Sequence, residues 1–162
     1  MKVKTYIAVV SLFFTVVVSA TEDPLVLRTQ AGEEVSLSDY AGDGRWLLVM
    51  IWGTDCSICF QEMPKISDFH TRHAHQDAYV LGVALDGFEQ KQRVRDFAAR
   101  ESLSFPNVIA EMPGFGIRYE FEVGERLLGT PTYLLFNPAG ELVANNPGPV
   151  RASAVEAFMA KP

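Results

Sequence analysis

The chain is predicted to fold as one α/β domain, a central mixed β-sheet with helices on both faces. Three observations predict it. First, Trp46 to Trp52 is an unbroken apolar run between Gly42-Asp43-Gly44 and Gly53, the length and punctuation of a strand buried on both faces. Tyr79 to Leu85 repeats that pattern. Second, between and after these runs the apolar positions change to helical spacing. Cys59, Met63, Ile66, Phe69 and His70 form one stripe, and Val94, Phe97 and Ala98 form another within a segment from about Gln90 to Ser102. Third, Thr132 to Phe136 and Leu142 to Ala144 flank Asn137-Pro138-Ala139-Gly140, a hairpin signal. Strand–helix–strand units favour parallel pairing with right-handed crossovers, and the hairpin adds antiparallel strands.

The remaining elements follow in order. Leu25-Val26-Leu27 and Val35-Ser36-Leu37 are short strand candidates on either side of a turn at Ala31-Gly32. From Ala110 to Gly129 the glycines at 114, 116, 124 and 129 interrupt any period, leaving room for a short helix near Phe115 to Phe121. A closing helix carries Val155, Phe158 and Met159, with Ser153 and Glu156 spaced as a capping box. At 162 residues the chain suits one domain with a sizeable core. Its 48% apolar and 21% charged residues argue against disorder. No repeat or low-complexity linker divides it.

Residues 1–20 stand apart. Lys2 and Lys4 precede an apolar run from Tyr6 to Val18, and Val18-Ser19-Ala20 leads into polar Thr21-Glu22-Asp23. That is the layout of a secretory signal peptide, and the run falls short of the roughly 20 residues that span a bilayer. The expected mature domain is therefore residues 21–162, exported and free of stable membrane insertion. Setting aside Lys2 and Lys4 leaves 12 of the 14 basic residues against 20 acidic ones, a net of −8. Nucleic acid rewards clustered Lys and Arg, so this balance speaks against it as a partner.

Both cysteines of the chain lie in Cys56-Ser57-Ile58-Cys59, at the junction of the buried strand and the next helix. Unpaired N–H groups and the positive dipole end at a helix start favour a thiolate, the attacking species in disulfide exchange. In this geometry Cys56 is the more exposed nucleophile, and Cys59, one turn in, resolves the mixed disulfide. Other readings stay open at this point. A structural disulfide fits an exported protein, although so short a loop removes little unfolded-state entropy. Cys56, Cys59, His70 and His73 or His75 superficially resemble a zinc site, but eleven residues of helix separate Cys59 from His70 by roughly 16 Å. Two inert buried thiols are the third.

The stretch Trp52-Gly53-Thr54-Asp55-Cys56-Ser57-Ile58-Cys59-Phe60-Gln61-Glu62-Met63-Pro64 resembles the thioredoxin superfamily, and within it the exported TlpA/ResA-like thiol–disulfide oxidoreductases. The shared pattern is a strand ending in Trp, then CxxC, Glu three residues on and Pro five residues on. Thr130-Pro131-Thr132 looks like the superfamily's cis-proline loop, and Asn137-Pro138-Ala139-Gly140 like the turn that follows its next strand. The likeness runs from about Leu25 to the carboxyl terminus.

The resemblance implies a thioredoxin fold and an oxidoreductase acting on protein thiols or disulfides with a redox partner protein. No metal or organic cofactor is implied. Cys56 and Cys59 would be the redox-active disulfide and Glu62 a proton carrier for it. Pro131 would be cis, and Thr130 and Pro131 would hold an extended partner segment by its backbone. Pro64 would kink the helix by removing a donor. The family's place outside the cytoplasm, as in a bacterial periplasm, agrees with the leader, and reduction of substrates for cytochrome maturation is one job of such relatives. A noncatalytic binding module with a static disulfide and a metal-delivery protein are the alternatives. Two departures stand out. Asp55 replaces the Trp common before the nucleophile, and its charge either opposes the Cys56 thiolate or caps the helix. Met50 occupies the strand position where relatives carry a buried Asp or Asn, so it relays no proton. The histidines at 70, 73 and 75 suit a helix carboxyl end as polar or cationic rings.

Overall fold

The computed structural model describes residues 27–161. The leader at residues 1–20 and the start of the Leu25-Val26-Leu27 strand lie outside the described residues. Seven strands form one sheet: β1 (Leu27–Arg28), β2 (Glu34–Val35), β3 (Trp46–Trp52), β4 (Ala78–Ala84), β5 (Asn107–Ile109), β6 (Thr132–Phe136) and β7 (Leu142–Pro147). Their spatial order is β2-β1-β5-β4-β3-β6-β7. The centre, β5-β4-β3, is parallel, and β6, β7, β1 and β2 add antiparallel edges. Four α-helices complete the fold: α1 (Ser57–His73), α2 (Lys91–Arg100), α3 (Gly114–Val123) and α4 (Ala152–Met159).

Strand β3 shows why the sheet is two-sided. Its side chains alternate, so Leu47, Val49 and Ile51 enter one core, while Leu48, Met50 and Trp52 enter the other. The first core takes Phe115 and Tyr119 of α3. The second takes Cys59, Met63, Ile66 and Phe69 of α1, Val94 and Phe97 of α2, and Val155 of α4. Helices therefore cover both faces. Among the described residues no helix is long and apolar enough to cross a membrane.

Several details differ from the sequence pattern. Strand β5 has no signature in the sequence, because three residues are too few to display a period. Strand β7 runs beyond Ala144 to Pro147, since Asn145 and Asn146 still pair with Leu134 and Tyr133, and the proline sits where an edge strand tolerates one. The Ser153–Glu156 capping box does not form. Arg151 is the N-cap of α4 and no side chain caps it. Glu156 is turned instead toward the basic end of α1, where it pairs with Arg72 and, at 3.3 Å, with Nε2 of His73. His70 is also not a cationic helix end. Its Nδ1 accepts the Val80 N–H at 3.0 Å, a donor that lies ahead of the β4–β5 pairing, and burial lowers its affinity for a proton.

Candidate active site

Strand β3 delivers the chain to the site. Trp52 is fully buried at its end, and its indole N–H donates to Asn107 Oδ1 at 3.0 Å. Asn107 is itself fixed by donating to the Phe105 carbonyl. A tight turn follows, closed by the Cys56 N–H on the Gly53 carbonyl at 3.1 Å. Asp86, just past β4, takes the Thr54 N–H at 3.1 Å and the Thr54 hydroxyl. Two strands thus hold the turn that aims Cys56.

Cys56 is the N-cap of α1, and its Sγ accepts the Cys59 N–H at 3.1 Å. The capping role considered for Asp55 is therefore filled by the sulfur, and Asp55 is exposed. A backbone donor aimed at that sulfur, at a helix N-terminus, stabilises negative charge on it. Cys56 is disulfide-bonded to Cys59. The two sulfurs differ in access, with Cys56 half-buried and Cys59 fully buried in the α1-side core. An incoming group reaches Cys56 first.

Glu62 lies one helical turn after Cys59 and is only 6% exposed. Its Oε2 accepts the Val150 N–H at 3.2 Å and its Oε1 the Lys65 ammonium at 3.0 Å. Helix α1 continues through Pro64 to His73. Met50 is fully buried behind the cysteines, directly between Gly82 and Tyr133 in the sheet register.

Across the turn, the Thr130–Pro131 peptide bond is cis. The Met112–Pro113 bond is cis as well, a feature no motif signalled. Thr130 and Gly129 line a groove with Gly53, Asp55, Asp86 and Arg93, so the loop before β6 and the turn before Cys56 share one surface. Cys56, Cys59 and Glu62 lie at successive three-residue steps at the start of α1, the Glu62 carboxylate bonded to Val150 and Lys65, and Thr130 lies beside the Cys56 turn. The histidines are not part of it. His73 bonds Asp77 and Glu156, and among the described residues no group of His, Cys, Asp and Glu is placed to hold a metal.

Sequence reasoning missed three contributors, Asn107, Asp86 and Val150, each of which meets its partner across a long stretch of chain.

A model of the AhpC/TSA family matches residues 19–145. The thiol–disulfide oxidoreductase ResA of Halalkalibacterium halodurans is 33% identical over 134 residues, covering 83% of this chain and 70% of that protein. ResA of Geobacillus kaustophilus is 39% identical over 101 residues, covering 60% of this chain and 56% of that relative's length. Among solved structures, StoA from Bacillus subtilis aligns with a TM-score of 0.60 at 25% identity, over 83% of this chain and 94% of that one. The thioredoxin domain of a thiol–disulfide oxidoreductase from Bacteroides vulgatus aligns with a TM-score of 0.67 at 22% identity, over 83% and 92%, a likeness of fold.

Proposed function

Because the chain belongs to the AhpC/TSA family and is a thioredoxin-fold thiol–disulfide oxidoreductase, we propose that it exchanges disulfides with protein substrates outside the cytoplasm. The observation that carries this reading is the asymmetric pair at the start of α1. Cys56 is reachable and receives a backbone N–H, whereas Cys59 is fully buried. In our reading residues 1–20 are a cleaved leader and residues 21–162 the working domain, as the pattern of Lys2, Lys4 and the apolar run supports.

In the reducing direction, the Cys56 thiolate attacks one sulfur of a partner disulfide. The partner's S–S bond breaks, its other sulfur leaves as a thiolate, and a mixed disulfide forms on Cys56. Cys59 then gives its proton to Glu62 and attacks Sγ of Cys56. The mixed disulfide breaks, the second partner thiolate leaves and takes up a proton, and the Cys56–Cys59 bond closes. Two electrons have passed to the partner. The reverse sequence oxidises a dithiol, and the potential of the pair against its compartment decides between them, about 1.4 kcal/mol for each 30 mV. Thr130 and Pro131 seat the partner as an extended segment beside Asp55; the place of Thr130 in the groove supports this reading, while Pro131 is buried next to it. A redox partner protein restores the pair, and reduction of substrates for cytochrome maturation is one role that fits.

The test is to replace Cys59 with Ser in the full-length chain. The variant should accumulate mixed disulfides with cellular proteins through Cys56, and these should vanish on adding Cys56→Ser. A complete lack of such adducts under both oxidising and reducing poise would reject exchange in favour of a static disulfide on a binding module.

A further inference from the structure

Tyr133 sits two residues after Pro131, directly opposite Met50 in the antiparallel register. Opposed residues share a face, and this face is the core that contains Cys59, Met63 and Trp52. Tyr133 is 2% exposed, and its hydroxyl is the one buried side-chain polar atom without a hydrogen-bond partner among the described residues. An orphaned donor at that depth costs about 1–3 kcal/mol, and such groups in native folds call for a reason.

The surroundings supply one. The segment after β7 ties the Tyr133 strand to Glu62. The Gly148 N–H donates to the Pro131 carbonyl at 2.8 Å, and the Val150 N–H donates to Glu62 Oε2 at 3.2 Å. Val150 also borders two clefts, one lined by Glu62 and Pro64 and the other by Tyr133. The carboxylate and the phenol thus flank one residue. Burial pushes the Tyr133 phenol up, with the Glu62 charge adding to the effect, so it remains an O–H donor at neutral pH. Each carboxylate oxygen of Glu62 accepts one hydrogen bond and keeps a lone pair for another.

We propose that Tyr133 is a positioning residue for the exchange: once the Cys56–Cys59 bond is reduced, its hydroxyl donates to the Glu62 carboxylate and holds it toward Cys59. The inference rests on the reading of Glu62 as proton carrier. The proton balance is unchanged: Cys59 still gives its proton to Glu62, and Tyr133 keeps its own. Met50, fully buried on β3, carries no group that could hold or orient the Glu62 carboxylate. Tyr133 fills the same layer from the adjacent strand.

The sign of the effect is fixed by which state satisfies the hydroxyl. In the oxidised protein it has no partner among the described residues, so Tyr133→Phe should leave oxidised stability unchanged or slightly raised. In the reduced protein the variant loses a bond, so reduction becomes less favourable. At a fixed dithiothreitol poise the reduced-to-oxidised ratio should fall about tenfold, a potential ~30 mV more negative. In a Glu62→Ala background the same substitution should have little effect, because the acceptor is gone. Equal potentials for wild type and Tyr133→Phe would overturn the proposal, as would a full shift persisting without Glu62. The small-molecule couple needs no protein partner, so failure here is separable from failure of the trapping experiment. Should a variant not fold, wild-type NMR decides. A slowly exchanging Tyr133 hydroxyl proton with a cross-peak to Glu62 in the reduced form alone supports the proposal, and its absence there refutes it.

Discussion

The two faces of the central sheet are built from the same strands yet do different work. On the α3 face, Leu47, Val49, Ile51, Leu81, Val83 and Leu134 pack as an aliphatic layer, and its fully buried tyrosine, Tyr119, donates to Asn145 Oδ1 at 2.7 Å. On the α1 face, the layer contains Cys59 and Trp52, with Glu62 at its margin, and the hydroxyl of its buried tyrosine, Tyr133, has no hydrogen-bond partner among the described residues. Two buried phenols, one satisfied and one not, separate a face that only holds the fold from a face that also carries chemistry. Burying polar groups is tolerated where each finds a partner.

The strongest way to break this contrast is to disturb the polar lock on the α1 face. A Cβ on Gly82 would lie 1.9 Å from Asn107 Oδ1 and 3.0 Å from Trp52 Nε1. Neither neighbour is a flexible chain end, because Trp52 donates to Asn107 and Asn107 in turn donates to the Phe105 carbonyl. Gly82→Ala should therefore cost about 3 kcal/mol or more, combining overpacking with a lost buried hydrogen bond. Urea unfolding measures it, and a loss under about 1 kcal/mol would mean that the Trp52–Asn107 pair is not the rigid support described.

This lock was invisible in the sequence, and the reason is general. Trp46 to Trp52 and the α1 stripe were legible because their periods repeat over several residues, and the Cys56–Cys59 pair because its spacing at a strand-to-helix junction is short, whereas Glu62 and the Thr130-Pro131 loop stood out only through the family resemblance. Asn107 contacts Trp52 across 55 residues of sequence, and Val150 contacts Glu62 across 88. No local pattern encodes such pairs. The capping box failed for a related reason, since Glu156 found a better tertiary partner in the basic end of α1 than the local N–H it was spaced to reach.

A smaller and more direct comparison sets the tyrosines side by side in the oxidised protein. Tyr119→Phe removes a satisfied hydroxyl and leaves the Asn145 side-chain oxygen without that donor, so stability should drop by about 1 kcal/mol. Tyr133→Phe removes a hydroxyl that has no partner among the described residues, and stability should hold or rise slightly. Equal losses in thermal or urea unfolding would erase the distinction between the two faces.

The smallest expected effect concerns His70, which links the carboxyl half of α1 to β4. Its Nδ1 accepts the Val80 N–H, so the folded protein requires a neutral ring. Burial lowers its proton affinity below the ordinary value of 6.5, and the nearby His75 and Arg45 add to that. The unfolded chain therefore binds this proton more tightly than the folded one. The contribution of His70 is complete above about pH 6.5 and is lost as the pH falls through the lower folded value. Because the ring is only half-buried, solvent screens much of the effect. In urea titrations at several pH values, wild type should lose stability between neutrality and mild acid more steeply than His70→Gln, whose amide oxygen can still accept from Val80 but does not titrate. Parallel slopes would show that protonation elsewhere governs the acid limb.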